Sequence, residues 1–511
     1  MIYKKKKIKF KDIFKNFKPS VKLSYPLQGN VDIELNSTSS KKNSEKIKIF
    51  RKKNISKKLG ISENKIEFFD HHLCHGLYGY FVYSKELKYK KNIAVVTMDG
   101  GGDGRYFSIN LVKNNKFIQL PTKSKSLIGQ IYESTTLLLG MNPAKHSYKI
   151  MGLAPYASEF HKSGPRKIFL DSFKVKGINF IRSKKMKDYY TYFKEQLNNF
   201  RFDGIAGGVQ DFIELRLQEW FLNISKKFNV KNFVFSGGVA NNVKANKFLF
   251  ESKGIDKIYV PPGPGDESLS IGAGYASMVQ DIGFKKTNKI VNVPENAYWG
   301  VPIYNDKIEE FRNHKFIKNN YNEKKDLNFK IVSKILSKGE IVYFCIGRME
   351  FGQRALGHRS ILSDPSNIES VYKINSAIKK RDFWMPFTPS ILETYQDRYF
   401  INPKNINCNF MTMSFDTTKL GKKHLKAAIH PYDNTVRPQI VNKNTCKDYY
   451  RLIKEFQKLT GIGALLNTSL NIHDKPIICQ PTDLLDELIL NKDTLANFIF
   501  IEKSIFIKKN I

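Results

Sequence analysis

Apolar runs closed by glycines recur between residues 56 and 295. NIAVVTMDG (92–100) is rich in Val and Ile, which predicts a buried strand. It runs into DGGGDG (99–104), and RYFSINLV (105–112) reads as a second strand, so the glycines predict a hairpin-like turn. Residues 205–229 carry a helical pattern. KNFVFSGGVANN (231–242) reads as strand, glycine turn and helix, and KIYVPPGPGDESLSIGAGYASM (257–278) as strand, loop and helix. Upstream, KLGISENKIEFFDHH reads as a helix end, a turn and a short strand. Alternating strands, glycine turns and helices predict an α/β fold.

Residues 296–328 are polar and rich in Asn and Lys, which predicts a linker. A second α/β pattern follows: EIVYFCIG (340–347) as a strand, SNIESVYKINSAIKKR (366–381) as a helix, GIGALLNTS (461–469) as a strand. Residues 1–55 are Lys-rich and weakly patterned, with STSSKKNSEK (37–46) as a loop. The expected division is therefore a basic segment 1–55, an α/β domain 56–295, a linker 296–328 and a second α/β domain 329–511.

Composition changes this picture little. At 511 residues and 41% hydrophobic, the chain can bury two or three cores. No apolar run reaches the roughly 18 residues of a membrane span, and the basic N-terminus lacks the apolar stretch of a signal peptide. Cys74, Cys345, Cys408, Cys446 and Cys479 are scattered with no C-x-x-C pair. That favours a reducing, cytoplasmic setting without structural zinc. The net charge of +38 fits a polyanionic partner. It equally fits Lys-biased codon usage, because Lys is spread along the whole chain. Arginine is the sharper signal: 14 of the 85 basic residues are Arg, and 7 of those lie between 348 and 451.

Five stretches carry chemistry. In FFDHHLCHGLYGYF (68–81), Asp70 can cap a helix that begins at His71, which puts His71 and His75 on one face at i and i+4. Two imidazoles so placed can reach one cation, or they are polar residues of a helix surface. A zinc-protease H-E-x-x-H is excluded because His72 stands where the Glu belongs. Asp99 ends a buried strand before glycines, as a metal or phosphate site needs, and equally as a turn Asp does. SGGVANN, with Gly237, Gly238 and Asn241, aims backbone N–H groups at a phosphate or packs tightly. Asp266 in PPGPGDES is an N-cap or a further oxygen ligand. Two His with two carboxylates form a mixed set suited to iron or another divalent transition metal.

GRMEFGQRALGHRSILSDP (347–365) places Arg348, Arg354 and Arg359 within 12 positions, which predicts an anion pocket. IKKRDFWMPF (378–387), DNTVRPQ (433–439) and LLNTSLNIHDKP (465–476) add Lys379, Arg381, Arg437, Asn467 and Asn471. The asparagines suit recognition of an amide or nucleotide, and also Asx-turns.

Taken in order, these stretches resemble the O-carbamoyltransferases of the nodulation-protein and antibiotic-tailoring type. DHHLCH is similar to that family's DHHxxH, SGGVANN to its GGVALN, KIMGLAPY (149–156) to its K-x-MGLAPY, and LLNTSLN to its LLNTSFN. GRMEFGQRALGHRSILSDP is close to its GRMEFGPRALGNRSILADP. The resemblance spans about residues 55–500 and implies an actin/sugar-kinase-like domain followed by a YrdC-like domain. It implies that the second domain makes carbamoyl-adenylate and pyrophosphate from carbamoyl phosphate and ATP, with Mg2+ accompanying ATP. The first domain would pass the carbamoyl group to a hydroxyl of a sugar or secondary metabolite beside a bound metal, Fe2+ being expected. The ligands carried over are His71, His75, Asp99 and Asp266, with His72 as an acceptor base. Arg354, Lys379, Arg437 and Asn467 would hold carbamoyl phosphate and nucleotide.

Two departures stand out. The family's opening strand and His-Asp-Ser-Ser-Ala type turn are not found in the 69 residues before Asp70, so the first domain is expected to lack its opening strands. Met385 stands where the family has Arg, and a thioether cannot donate to an anion. Beside the transferase reading stand a nucleotide-binding relative without transfer and an RNA-linked transferase or basic RNA binder. The expected partners are a small-molecule or glycan hydroxyl, no membrane span, no nucleic acid, and a second copy in a homodimer.

Overall fold

The computed structural model describes residues 41–87, 90, 92–122, 128–184, 186, 188–293, 295–325, 327–379, 382–472, 475–490 and 496–509. They form two units, and the chain passes between them more than once. The first contains the chain up to Ser147, Phe160–Val239 and Gly265–Val291; the second contains Tyr148–Glu159, Ala240–Pro264 and Asn292–Ile511.

In the first unit a Lys-rich helix, α1 (Lys41–Leu59), precedes α2 (His71–Val82). Residues 66–70, expected to hold a short strand, pair with no strand among the described residues, and the extended Asp70 caps α2. The central strand β1 (Asn92–Gly102) is buried from Ile93 to Met98, as its Val and Ile content predicts. It returns antiparallel as β2 (Arg105–Lys113), then β3 (Lys116–Gln119). The turn between β1 and β2 uses left-handed backbone at Asp103 (φ 48°) and Gly104 (φ 77°), which matches strand twist. The β1–β2 register shifts between Met98 and Gly102, and this irregularity re-aims Asp99.

β4 (Asn232–Ser236) runs parallel to β1, with Ile93 opposite Asn232 and Thr97 opposite Ser236. Their parallel pairing therefore ends at Thr97 and Ser236, with Asp99 and the Gly237–Gly238 turn just beyond. Around them lie α3 (Ile128–Leu138), α4 (Phe202–Phe228) and α5 (Leu269–Ile282). Helix α4 buries Phe212, Trp220 and Phe221, and Trp220 packs edge-on against Phe107 of β2. α5 lies against α2 so closely that a Cβ on Gly272 would fall 2.2 Å from the Cys74 carbonyl oxygen.

The second unit is built on an eight-stranded mixed sheet. Its strands are β5 (Tyr321–Lys324), β6 (Val342–Cys345), β7 (Arg359–Ser363), β8 (Thr388–Leu392), β9 (Gln439–Val441), β10 (Ala464–Ser469), β11 (Phe498–Ile501) and β12 (Ser504–Lys508). Their order is β9-β8-β10-β7-β6-β11-β12-β5. Helices α6 (Phe329–Ser337) and α7 (Lys447–Thr460) pack on each other, while Phe311, Ile361, Leu466 and Ile499 share a buried cluster. The expected linker is thus corrected. Residues 296–328 supply the fully buried Phe311 and the edge strand β5, which pairs with β12 near the end of the chain.

Candidate metal centre and anion pocket

The histidines of α2 are fixed by its cap. Asp70 accepts a hydrogen bond from the Leu73 N–H at 2.9 Å and pairs with Arg105 of β2, pinning the helix start to the hairpin. His71 donates its own backbone N–H to Asp103 at 2.9 Å. Its ring lies where a Cβ on Gly102 would come within 2.2 Å of Cγ, so the hairpin needs glycine there. His71 Nε2 and His75 Nε2 stand 3.1 Å apart, one helical turn bringing both to one point.

Two carboxylates reach the same point. Asp99 Oδ2 is 3.3 Å from His75 Nε2. Asp266 Oδ1, on the turn before α5, is 3.5 Å from His75 Nε2 and 3.6 Å from His71 Nε2. One ligand atom from each of the four residues lies within 4.8 Å of every other. The cluster is closed at His75, whose side chain is fully buried, and open at Asp266, whose side chain is 70% exposed. Ser268 Oγ lies 3.5 Å from His75 Nδ1, so the far nitrogen has its own neighbour and Nε2 faces the cluster.

The electrostatics fit a cation. Burial alone would lower the His75 pKa, but hydrogen bonds to Asp266 and Asp99 outweigh it and raise the value to about 9. Asp99 shows the converse: burial favours the neutral acid, yet the His75 contact, that group's charge and the Gly238 N–H bring it to about 2. A proton held between carboxylates supplies the positive charge that a divalent ion would bring. His71, by contrast, is lowered, first by burial and then by His75. Two imidazoles and two carboxylates with one open side match the donor chemistry of a catalytic divalent metal.

The glycines after β4 serve this cluster. Gly238 donates its N–H to Asp99 Oδ2 at 2.6 Å, a carboxylate contact where a phosphate contact was expected. Gly237 (φ 93°) admits no side chain, because a Cβ would fall 2.3 Å from the Met98 carbonyl oxygen. His72 is also spoken for. It is fully buried, its Nε2 donates to the Arg105 carbonyl at 3.1 Å, and its Nδ1 lies 2.8 Å from Thr97 Oγ1. Because a carbonyl can only accept, Nε2 carries the proton, and burial holds the pKa at about 4. This placement leaves no ring nitrogen for the acceptor-base role expected of it.

Glu133 on α3 joins the surroundings of the cluster. Gly129 brings α3 onto Asp99, where a Cβ would meet the carbonyl oxygen at 3.2 Å, and Gln130 donates to the Gly100 carbonyl at 3.1 Å. Glu133, on the same helix face, stands over Gly100. One side of it meets solvent, yet the protein around it and the charge of Asp99 push its carboxyl up to about 7. A single acid on an amphipathic helix gives no signal in sequence.

In the second unit, Arg354 and Arg437 line one pocket with Lys244, His430, Tyr148 and Met385. Met385 packs by its sulfur where a Cβ on Gly152 would stand 3.2 Å away. Lys244 forms an ion pair with Asp433 and donates to Thr435 Oγ1 at 2.5 Å. Neither Lys244 nor His430 belongs to a motif that marked it in sequence.

The remaining expected residues are engaged elsewhere. Arg359 is fully buried, and its guanidinium donates to the carbonyls of Cys479, Ile346, His358 and Gly347 at 2.7–3.2 Å, so its fork holds backbone where an anion was expected. Arg348 is exposed and donates to the Tyr298 and Trp299 carbonyls, both at 3.2 Å. Lys379 is buried with its ammonium on Asn471 Oδ1 (2.6 Å), the Asn471 carbonyl (2.8 Å) and Ser469. Asn467 donates to the Ala355 carbonyl (3.1 Å) and Ser390 Oγ (3.0 Å), leaving its buried Oδ1 without a hydrogen-bond partner. Asn241 is half-buried before the cap Asn242, and Arg381 lies outside the described residues. No helix among the described residues is long and apolar enough to cross a membrane.

The described residues thus hold a four-residue cluster able to ligate a metal in one α/β unit and a cationic pocket in the other. The chain belongs to the carbamoyltransferase family. Residues 37–275 match the family model for the carbamoyltransferase N-terminus and residues 333–508 that for the C-terminus. It is 32% identical over 458 residues to the uncharacterized protein MJ1051 of Methanocaldococcus jannaschii, covering 86% of this chain and 84% of that one. To MJ1058 of the same organism it is 30% identical, covering 86% and 74%. To the nodulation protein NolNO of Sinorhizobium fredii it is 28% identical, covering 83% of this chain and 62% of that relative, which is less than two thirds of its length. Among solved structures, T. kodakarensis HypF aligns over 48% of this chain and 41% of its own at 14% identity and a TM-score of 0.28.

Proposed function

We propose that the chain carbamoylates a hydroxyl group of a sugar or secondary metabolite, using carbamoyl phosphate and ATP. The convergence of His71, His75, Asp99 and Asp266 on one point carries this reading. In the activation step, water releases phosphate from carbamoyl phosphate. The resulting carbamate then attacks the α-phosphate of ATP, giving carbamoyl-adenylate and pyrophosphate. Arg354 and Arg437 neutralise and orient the phosphates in this step. In transfer, the acceptor oxygen bonds to the carbamoyl carbon, AMP leaves, and the hydroxyl proton goes to a base.

A divalent cation such as Fe2+ held by the four ligands would supply a Lewis acid for the carbamoyl carbonyl. The chain's own part is to aim that site. Gly238 holds Asp99, the capped helix holds both imidazoles, and the open side at Asp266 admits the acceptor. His72 stays neutral between α2 and the β1–β2 strands and takes no proton from the acceptor. The test is pyrophosphate release by purified protein given carbamoyl phosphate, ATP and Fe2+. Release that requires carbamoyl phosphate is the expected result, and none under these conditions would remove the activation step.

A further inference from the structure

Aromatic rings gather beside the cationic pocket of the second unit. Tyr156 closes the segment whose Tyr148, Met151 and Gly152 line that pocket. Its ring centroid lies 5.6 Å from that of His430, another lining residue, 5.2 Å from Tyr432 and 6.0 Å from Phe383. Phe383 is 71% exposed and Tyr432 56% exposed. Phe383 precedes the lining residues Met385 and Pro386, and Tyr432 falls between the lining residues His430 and Thr435. KIMGLAPY, IKKRDFWMPF and the segment leading into DNTVRPQ thus each give one ring to a single cluster.

A lone exposed aromatic needs no explanation. Two of them on one partner ring, at the edge of a pocket lined by Arg354 and Arg437, offer paired chemistry: flat apolar faces for a heterocycle and cations for phosphates. A ligand made only of phosphate would use the cations and ignore the rings. We propose that Tyr156, Phe383 and Tyr432 form a base-stacking platform for a nucleoside triphosphate whose phosphates lie against Arg354 and Arg437. This rests on the reading of the second unit as the ATP-using one.

The test compares calorimetric binding of ATP and of inorganic tripolyphosphate to the full chain. Phe383→Ala and Tyr432→Ala should each weaken ATP about tenfold or more, while tripolyphosphate stays within about twofold. Phe383→Trp and Tyr432→Phe should keep ATP affinity, because the ring is retained, and Arg437→Ala should weaken both ligands. Both positions are exposed, so a melting curve superimposable on the wild type is expected. ATP affinity unchanged in both alanine variants, or equal losses for the two ligands, would overturn the platform and leave ATP use standing. A wild type that binds no ATP would overturn the ATP reading and the platform together.

Discussion

The first unit brings four of its expected residues to one point, whereas the second disperses most of its own. His71, His75, Asp99 and Asp266 come from three separate stretches and meet within 4.8 Å. Of the three arginines in GRMEFGQRALGHRSILSDP, only Arg354 lines the pocket, and Arg359 is spent on four backbone carbonyls. The difference lies in how each side chain finds its partners. An imidazole pair is set by helical spacing and a carboxylate by its strand end, both local. A guanidinium on a long stem can turn outward to an anion or inward to carbonyls, and the turn it holds decides which.

The strongest way to break this contrast is to separate the two activities. His75→Ala should cut transfer to the hydroxyl by about 100-fold or more and leave pyrophosphate release near the wild-type rate. Arg354→Ala should do the reverse at the activation step, by a similar factor. Loss of both activities in each variant would end the division of labour. Within the second unit, Arg359→Ala should mainly destabilise. It strands four carbonyl oxygens, and with partial rehydration we expect a cost of about 4 kcal/mol. That corresponds to a fall of roughly 10 °C in Tm for a unit of this size. Arg354→Ala should move the same transition by no more than about 2 °C. Equal shifts would show that Arg359 is no more structural than Arg354.

The local parts of both units were legible. The cap at Asp70, the DGGGDG hairpin and the strand–glycine–helix units all follow from side-chain patterns a few residues long. What escaped depends on distant pairing. Residues 296–328 look like a linker because Asn and Lys dominate, but β5 is completed by β12 some 180 residues later, and Phe311 supplies a core contact that composition hides. The SGG turn was legible as a place where backbone N–H groups meet an anion. That the anion is Asp99 depends on parallel pairing of β4 with β1, which no local pattern shows. Lys244 reaches the pocket only because the chain enters the second unit at Ala240–Pro264, and His430 lies just before DNTVRPQ, so neither stood out beside Arg354.

A smaller effect sharpens the account of the first unit. Gly237→Ala puts a Cβ against the Met98 carbonyl and strains a left-handed backbone, at a cost of about 2–3 kcal/mol. Its amide neighbour Gly238 should then release Asp99, and divalent-ion affinity, read by competition with a chelating dye, should fall about tenfold. Gly140→Ala is the control. Its φ of 76° is similar, but nothing lies within 4 Å of the added carbon, so only about 1 kcal/mol is expected and ion affinity should hold. If Gly140→Ala weakened ion binding as much, the Gly238–Asp99 bond would not be what positions the ligand.

The smallest expected effect concerns two histidines of opposite sign. In metal-free protein the His75 pKa is raised to about 9, so its contribution to stability is full below about pH 6.5 and is lost as pH rises through 9. His430 in the second unit is lowered, chiefly by burial and further by Lys244, against the opposing charge of Asp433. Its Nε2 donates to the Gly152 carbonyl at 2.8 Å and its Nδ1 accepts from the Tyr432 and Asp433 N–H groups at 3.3 Å, so the native ring is neutral with Nε2 protonated. As pH falls through about 6.5 the unfolded chain takes up a proton that the folded ring refuses, and stability drops from there downward. His430→Gln keeps an N–H for Gly152 and cannot titrate. Between pH 7.5 and 5.5 the wild-type Tm should therefore fall more than that of the variant. His358 and His424 are also lowered but are present in both proteins, so the difference between the two curves belongs to His430. Parallel curves would mean that the ring is protonated in the fold, with Asp433 outweighing burial.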